Sequence, residues 1–331
     1  MKYNVYNDIY VKSKNSVHRI KSRYNIAITL FLLLMIIVNS ILGNTSDILL
    51  LFKSIIVSFI SSSLIQYVIN IFKKEYSFIK MYENDDIYAI SLILALFAYR
   101  LDIYVLALAV VISLLVKNIF DKLNISASLY GITFLLLYRY YVLNIESPLI
   151  ILHNNGINYD NMININYGVM NYLFGFEYLS PILSISGYIY LFYNKSIKYN
   201  LVLSYMLTVF ILFLGYGIFN DMNIWITIFE LFTGSIIFLS IFILTDYKIS
   251  PTISEGNIVY GIILGIMTAI LRIIMPELAV VISFIIGQII IFRLIQRFSF
   301  NFKYNRRLYY GVIVSLMIIG ITSMIIISIL L

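Results

Sequence analysis

Strongly apolar runs of membrane-spanning length recur along this chain, separated by short polar segments. In hydrocarbon a backbone amide finds no water to bond, so such runs are satisfied only as helices or closed barrels. Runs near 26–43, 48–72, 87–101, 103–120, 126–143, 181–193, 201–219, 224–244, 258–274, 278–296 and 308–331 are long and uniform enough to be read as helices rather than alternating strands. Only 12% of residues are charged, against about 25% in soluble proteins. A water-facing surface for a chain of this size cannot be assembled from so few. The expected fold is all-α, a polytopic transmembrane helical bundle.

The basic residues test the span assignment. With the N-terminus in the cytoplasm, alternation puts segments 1–25, 73–86, 117–125, 194–200, 245–257 and 293–307 inside, and these hold nineteen of the 23 Lys and Arg residues. The exceptions are Lys53, Arg100, Arg139 and Arg272. So lopsided a split agrees with the positive-inside rule and predicts a multi-pass protein of the cell membrane. It also accounts for the net charge of +7 without a nucleic-acid partner. The run after Arg23 is long enough to span and more runs follow, so it reads as an uncleaved first helix rather than a signal peptide.

Cysteine is absent, which excludes a thiol nucleophile and iron–sulfur ligation by this chain. His18 and His153 lack a partner at metal-ligand spacing, so no metal site is expected. No phosphate-cradling glycine loop or zinc-protease motif occurs.

Charges inside spans are costly and usually paired or functional. Glu230 lies about six residues into its run, which favours a role as an ion-path residue or structural partner. Lys117, Arg139, Asp246 and Arg272 lie near run ends, where snorkelling to the interface is the simpler reading. Arg100 and Asp102 are close enough in sequence to satisfy each other. Segment 144–180 is the longest connection, rich in Asn and Tyr, and is expected outside.

The most informative stretch is Thr245-Asp246-Tyr247-Lys248-Ile249-Ser250-Pro251-Thr252, followed by Gly256, Tyr260-Gly261, Gly265 and Arg272. Pro251 stops a helix, Asp246 or Ser250 can cap the next one, and Gly261 with Gly265 offers a small-residue face for close packing. The stretch resembles the T-D-P-x-x-S-P-T…G…Y-G…G…R signature of the RnfD/NqrB family. Glu230-Leu231-Phe232-Thr233-Gly234-Ser235 is similar to that family's H-L-L-S-G-G run, and Gly187–Tyr193 with Leu203-Ser204-Tyr205 to its G-x-I-Y-L…L-S-Y stretch. In the first half, Lys117-Asn118-Ile119-Phe120 resembles G-K-Q-V-F, and Ser126–Leu135 resembles N-P-A-L-x-G-R-x-F-L.

The resemblance implies ten spans in two related five-span halves, one inverted relative to the other, over residues 26–297. The rhythm shared by Ile90–Leu123 and Ile236–Ile274 agrees with such a repeat. Residues 1–25 form a cytoplasmic segment, and 298–331 add a basic loop and an eleventh helix. The resemblance also implies a subunit of an ion-translocating electron-transport complex, not catalytic alone, that passes electrons through flavin and couples them to Na⁺ or H⁺ movement. Its partners are the other subunits and the lipid bilayer. The family attaches FMN to a threonine in S-G-A-T-P-L, and here Asn144-Ile145-Glu146-Ser147-Pro148-Leu149 puts Ser147 in that slot. Riboflavin is implied as a second flavin. The glycine–alanine approach is replaced, and Glu146 stands beside the position of a flavin phosphate. Ser-Ala-Ser replaces N-P-A, Ile132 replaces the motif's arginine, and Gln66 stands where the family has a carboxylate. These departures leave open a flavin-free transporter or channel, or a scaffold subunit, with the same membrane fold.

Overall fold

The structure is a computed structural model and describes residues 14–72, 87–120, 125–143, 180–220, 227, 230–232, 235–246 and 249–330. Among these residues every regular element is helical. In chain order they are α1 (Lys14–Ile41), α2 (Thr45–Phe72), α3 (Ile87–Phe97), α4 (Ile103–Ile119), α5 (Ala127–Tyr141), α6 (Pro181–Tyr193), α7 (Tyr199–Phe219), α8 (Ile236–Phe242), α9 (Ser254–Ile274), α10 (Ala279–Tyr304) and α11 (Arg306–Leu330). Six of them (α1, α2, α7, α9, α10 and α11) are long and apolar enough to cross a membrane, and α3, α4 and α6 are shorter apolar helices. The protein is a multi-pass helical bundle.

Two short helices lie at the heart of the bundle. Seven-residue α8 is buried along its whole length, and so are eight of the eleven residues of α3. They run in opposite directions: α3 ends beside the turn that carries Arg100, and α8 ends at Thr245 on the other face. Phe97 of α3 meets Phe238 of α8 with ring centroids 6.2 Å apart, and Phe31 of α1 packs on Phe238 at 5.1 Å and Phe242 at 5.8 Å. In each half, then, a short buried helix is followed by a break and a longer helix, α3–α4 and α8–α9. This is the rhythm read from Ile90–Leu123 and Ile236–Ile274.

The helix ends sort onto two faces, as alternation requires. On the basic face, Arg23 of α1 donates to Asn194 O at 2.7 Å and Ser196 Oγ at 3.1 Å, and Asn200 of α7 donates to Ser254 of α9 at 2.5 Å. Gln296 of α10 donates to Thr252 Oγ1 at 3.0 Å. On the opposite face Arg100 pairs with Asp47, at the start of α2, at 3.0 Å. The tight turn into α2 there uses Gly43 at φ +80°, a conformation that costs a glycine nothing.

The structure corrects the sequence reading in several places. The run 224–244 is not one straight helix, because Ser235 turns the chain with φ +59° just before α8. Arg100 and Asp102 do not satisfy each other: Arg100 reaches Asp47, and Asp102 accepts from the Tyr104 hydroxyl at 2.8 Å. The basic segment expected as a loop stays helical to Tyr304, because Ile295, Ser299 and Phe302 recur at helical spacing and bury one face. The break is confined to Asn305, whose side chain accepts from Leu308 N at 3.2 Å. That bond caps α11.

Candidate functional site

Two clusters gather four of the charged residues singled out in the sequence, Lys117 with Asp246 and Glu230 with Arg272. The first lies on the basic face. There the last turn of α4 carries Lys117, α5 begins after Ser126, and the chain leaves α8 through Thr245 and Asp246. These segments enclose a cavity of about 80 Å³ with Lys21 and Tyr24 of α1, and Lys117, Ser126, Ser128 and Asp246 line it. Among the described residues it holds two lysines, Lys21 and Lys117, against one carboxylate, Asp246. The volume suits several waters or a hydrated ion and is too small for a flavin ring system, since pockets for such ligands run to roughly 300 Å³ or more. Lys117 and Asp246, from opposite halves of the sequence, thus share one site.

Neighbouring bonds hold that site in shape. Tyr24 and Thr245 share a hydrogen bond between their hydroxyls, which fixes the residue before Asp246 against α1. Lys198 Nζ donates to Ser250 O at 2.8 Å, Ser250 Oγ at 2.7 Å and Pro251 O at 2.8 Å, and Ser250 Oγ donates to Asp246 O at 2.7 Å. Ser250 therefore tightens the turn rather than capping α9, which begins after Ile253 without a side-chain cap. Across the cavity, Gln288 Oε1 accepts from Ser126 N at 2.9 Å and Nε2 donates to Tyr130 OH at 3.4 Å. Gln288 sits in a wide π turn, Gly287–Ile291, inside α10. Such turns insert one extra residue and re-aim a side chain, often at functional sites. It joins the second half of the chain to the start of α5, where helix donors lack partners.

The second cluster is the ion pair Glu230–Arg272, in which the Arg272 Nε donates to Glu230 Oε2. The side chains are 1% and 0% exposed. Arg272 was expected to snorkel from the end of α9, but it is fully buried because Glu230 meets it within the bundle. Elsewhere along α9, Gly261 and Gly265 face α7. A Cβ at Gly261 would collide with the Ser204 hydroxyl and lie 2.8 Å from Leu201 O, and one at Gly265 would lie 2.7 Å from Thr208 Cβ. The glycine pair is a packing face, as its spacing predicts.

Gln66, in the place of the family's carboxylate, is buried on α2 below Ser54, Ser58 and Ser62 and donates to Asn70 Oδ1 at 3.0 Å. Ser147 lies outside the described residues, so the flavin expectation there has no structural counterpart. Sequence reasoning missed Gln288, Tyr24, Lys21 and Lys198. For Gln288 the signal was present, a lone amide in the otherwise apolar run 278–292. The other three are ordinary interfacial residues until the fold brings them to the cavity.

The family model described as NQR2, RnfD, RnfE matches residues 4–299. No curated protein matches the chain.

Proposed function

The chain belongs to the NQR2, RnfD, RnfE family, and from that membership we propose that it relays electrons through flavin and couples them to Na⁺ or H⁺ movement as a membrane subunit of an Rnf/Nqr-type complex. Its partners are the other subunits, and its place is the cell membrane with the N-terminus in the cytoplasm, as the bias of basic residues to one face supports. The observation that carries the ion half of this reading is the cavity on the basic face, where both halves bring Lys117 and Asp246 to one small space walled largely by apolar side chains. There the Asp246 carboxylate is the group that exchanges a proton or a cation with water. Lys21 and Lys117 line the same space as its counter-charges, and the Tyr24–Thr245 bond fixes its backbone. The Glu230–Arg272 pair near the other face neutralises the charge that α9 carries into the bundle.

Ser147 offers the hydroxyl through which a flavin phosphate would be joined, and the flavin would supply electron transfer at the outer face. Glu146 disfavours a second negative charge beside it, and that single feature favours the rival reading of a flavin-free transporter, channel or scaffold subunit. Co-expression with a flavin transferase, followed by in-gel flavin fluorescence after SDS denaturation, separates the two. We expect a fluorescent band that Ser147→Ala abolishes. A dark band for the unmodified chain, with no flavin in the native spectrum, rejects flavin relay. For the ion half, Asp246→Asn is expected to slow redox-driven ion uptake by the assembled complex, and unchanged uptake removes Asp246 from the path.

A further inference from the structure

We propose that the hairpin made by the end of α10 and the start of α11 is a binding site for anionic phospholipid headgroups. After Glu277 the sequence has no acidic residue, and its five cations, Arg293, Arg297, Lys303, Arg306 and Arg307, fall within one short stretch. The fold puts them at a membrane surface. Helix α10 ends in the segment that the positive-inside alternation puts on the cytoplasmic side. Its apolar run ends at Phe292, the cations follow it, and α11 turns straight back after Asn305.

The arginines are presented outward on a fixed scaffold. Ile295, Ser299 and Phe302 bury the opposite side of this helix, and Gln296 is tied to Thr252 by two bonds, at 3.0 and 3.2 Å. Arg293, Arg297, Phe300 and Tyr304 follow one another at helical spacing along the exposed side. Phe300 is 52% and Tyr304 83% exposed. Arg293, Arg297, Arg306 and Arg307 make no ion pair with any described residue. Setting membrane orientation needs only the number of charges in a loop. A rigid helix with interleaved arginines and aromatic rings is instead the pattern of a surface that takes phosphate between guanidinium groups and acyl chains against the rings. Three of the five cations lie past residue 299, where the family match ends, and the site does not rest on the electron-transport reading.

The test uses the full chain in nanodiscs of equal phosphatidylcholine and phosphatidylglycerol, extracted in mild detergent, with retained lipid counted by mass spectrometry. Each basic residue at a membrane surface is worth roughly fivefold in affinity. The variant with Arg293, Arg297, Arg306 and Arg307 all changed to Gln should therefore retain at least about tenfold less phosphatidylglycerol, and the corresponding Arg→Lys variant should keep most of it. A single Lys195→Cys label, unique in a cysteine-free chain, reports whether each variant keeps its orientation. Should the Gln variant insert wrongly, the unmodified chain still decides, because its phosphatidylglycerol must be released as salt rises. Retention of the two lipids in the ratio supplied, or salt-insensitive retention, overturns the proposal. So does a photocrosslinker at Tyr304 that captures an acidic partner subunit while no phosphatidylglycerol is selected.

Discussion

Replacing Glu230 with Gln keeps the shape of the side chain and removes its charge, leaving Arg272 ionised in the interior of the bundle. Both side chains are within 1% of complete burial, so solvent cannot take over the lost partner. Removing one member of such a pair costs about 3–5 kcal/mol, more than a hundredfold in the ratio of folded to unfolded chain. Replacing both members with apolar residues of similar volume removes the stranded charge as well, so Glu230→Leu with Arg272→Met should be as stable as the unmodified protein or up to about 4 kcal/mol more so. The assay is equilibrium unfolding of the full chain in mixed micelles, followed by the fluorescence of Trp225, the chain's one tryptophan. The two single variants should unfold early and the double variant should recover. Singles that match the unmodified chain, or a double that loses the sum of the two, would refute a buried, mutually dependent pair.

Other substitutions test separate parts of the account. Gly261→Val drives two methyls into Ser204 and the α7 backbone, so stability should fall by about 1–3 kcal/mol. Gly43→Asn, at φ +80°, should cost less than Gly43→Val, since Asn visits that region more readily than a β-branched residue. Gln288→Leu leaves the buried Ser126 N–H without its acceptor and should cost about 1–3 kcal/mol; hydrogen exchange should quicken at the start of α5. Arg100→Gln should change stability by less than about 1 kcal/mol, because its pair with Asp47 stands in solvent reach. A large loss there would show that exposure is a poor guide to charge energetics in this bundle.

The helices were legible because hydrocarbon leaves the backbone no other way to satisfy itself, and that constraint acts on every apolar run alike. The two faces were legible for a similar reason, since cations mark run ends one by one. What pairs with what was not. Glu230 and Arg272 are 42 residues apart, and Asp47 and Arg100 are 53 apart, so no local spacing announces either pair. The nearer partner for Arg100, Asp102, was the wrong one, because the turn after α3 aims the guanidinium back at α2. Breaks inside spans were equally hidden. The run 224–244 carries no proline, and glycine is too common inside spans for Gly234 to announce the turn at Ser235. At the cavity, motif resemblance marked Lys117 and Asp246 separately, and only the antiparallel arrangement of α3 and α8 explains why they converge.

A role for this chain in redox-driven ion translocation can be read in vesicles containing the assembled complex, by measuring Na⁺ and H⁺ uptake on addition of reductant, with and without this chain. Uptake should require the chain and be slowed by Asp246→Asn while the other subunits still assemble. Electron transfer and ion uptake that proceed unchanged without it would rule that role out.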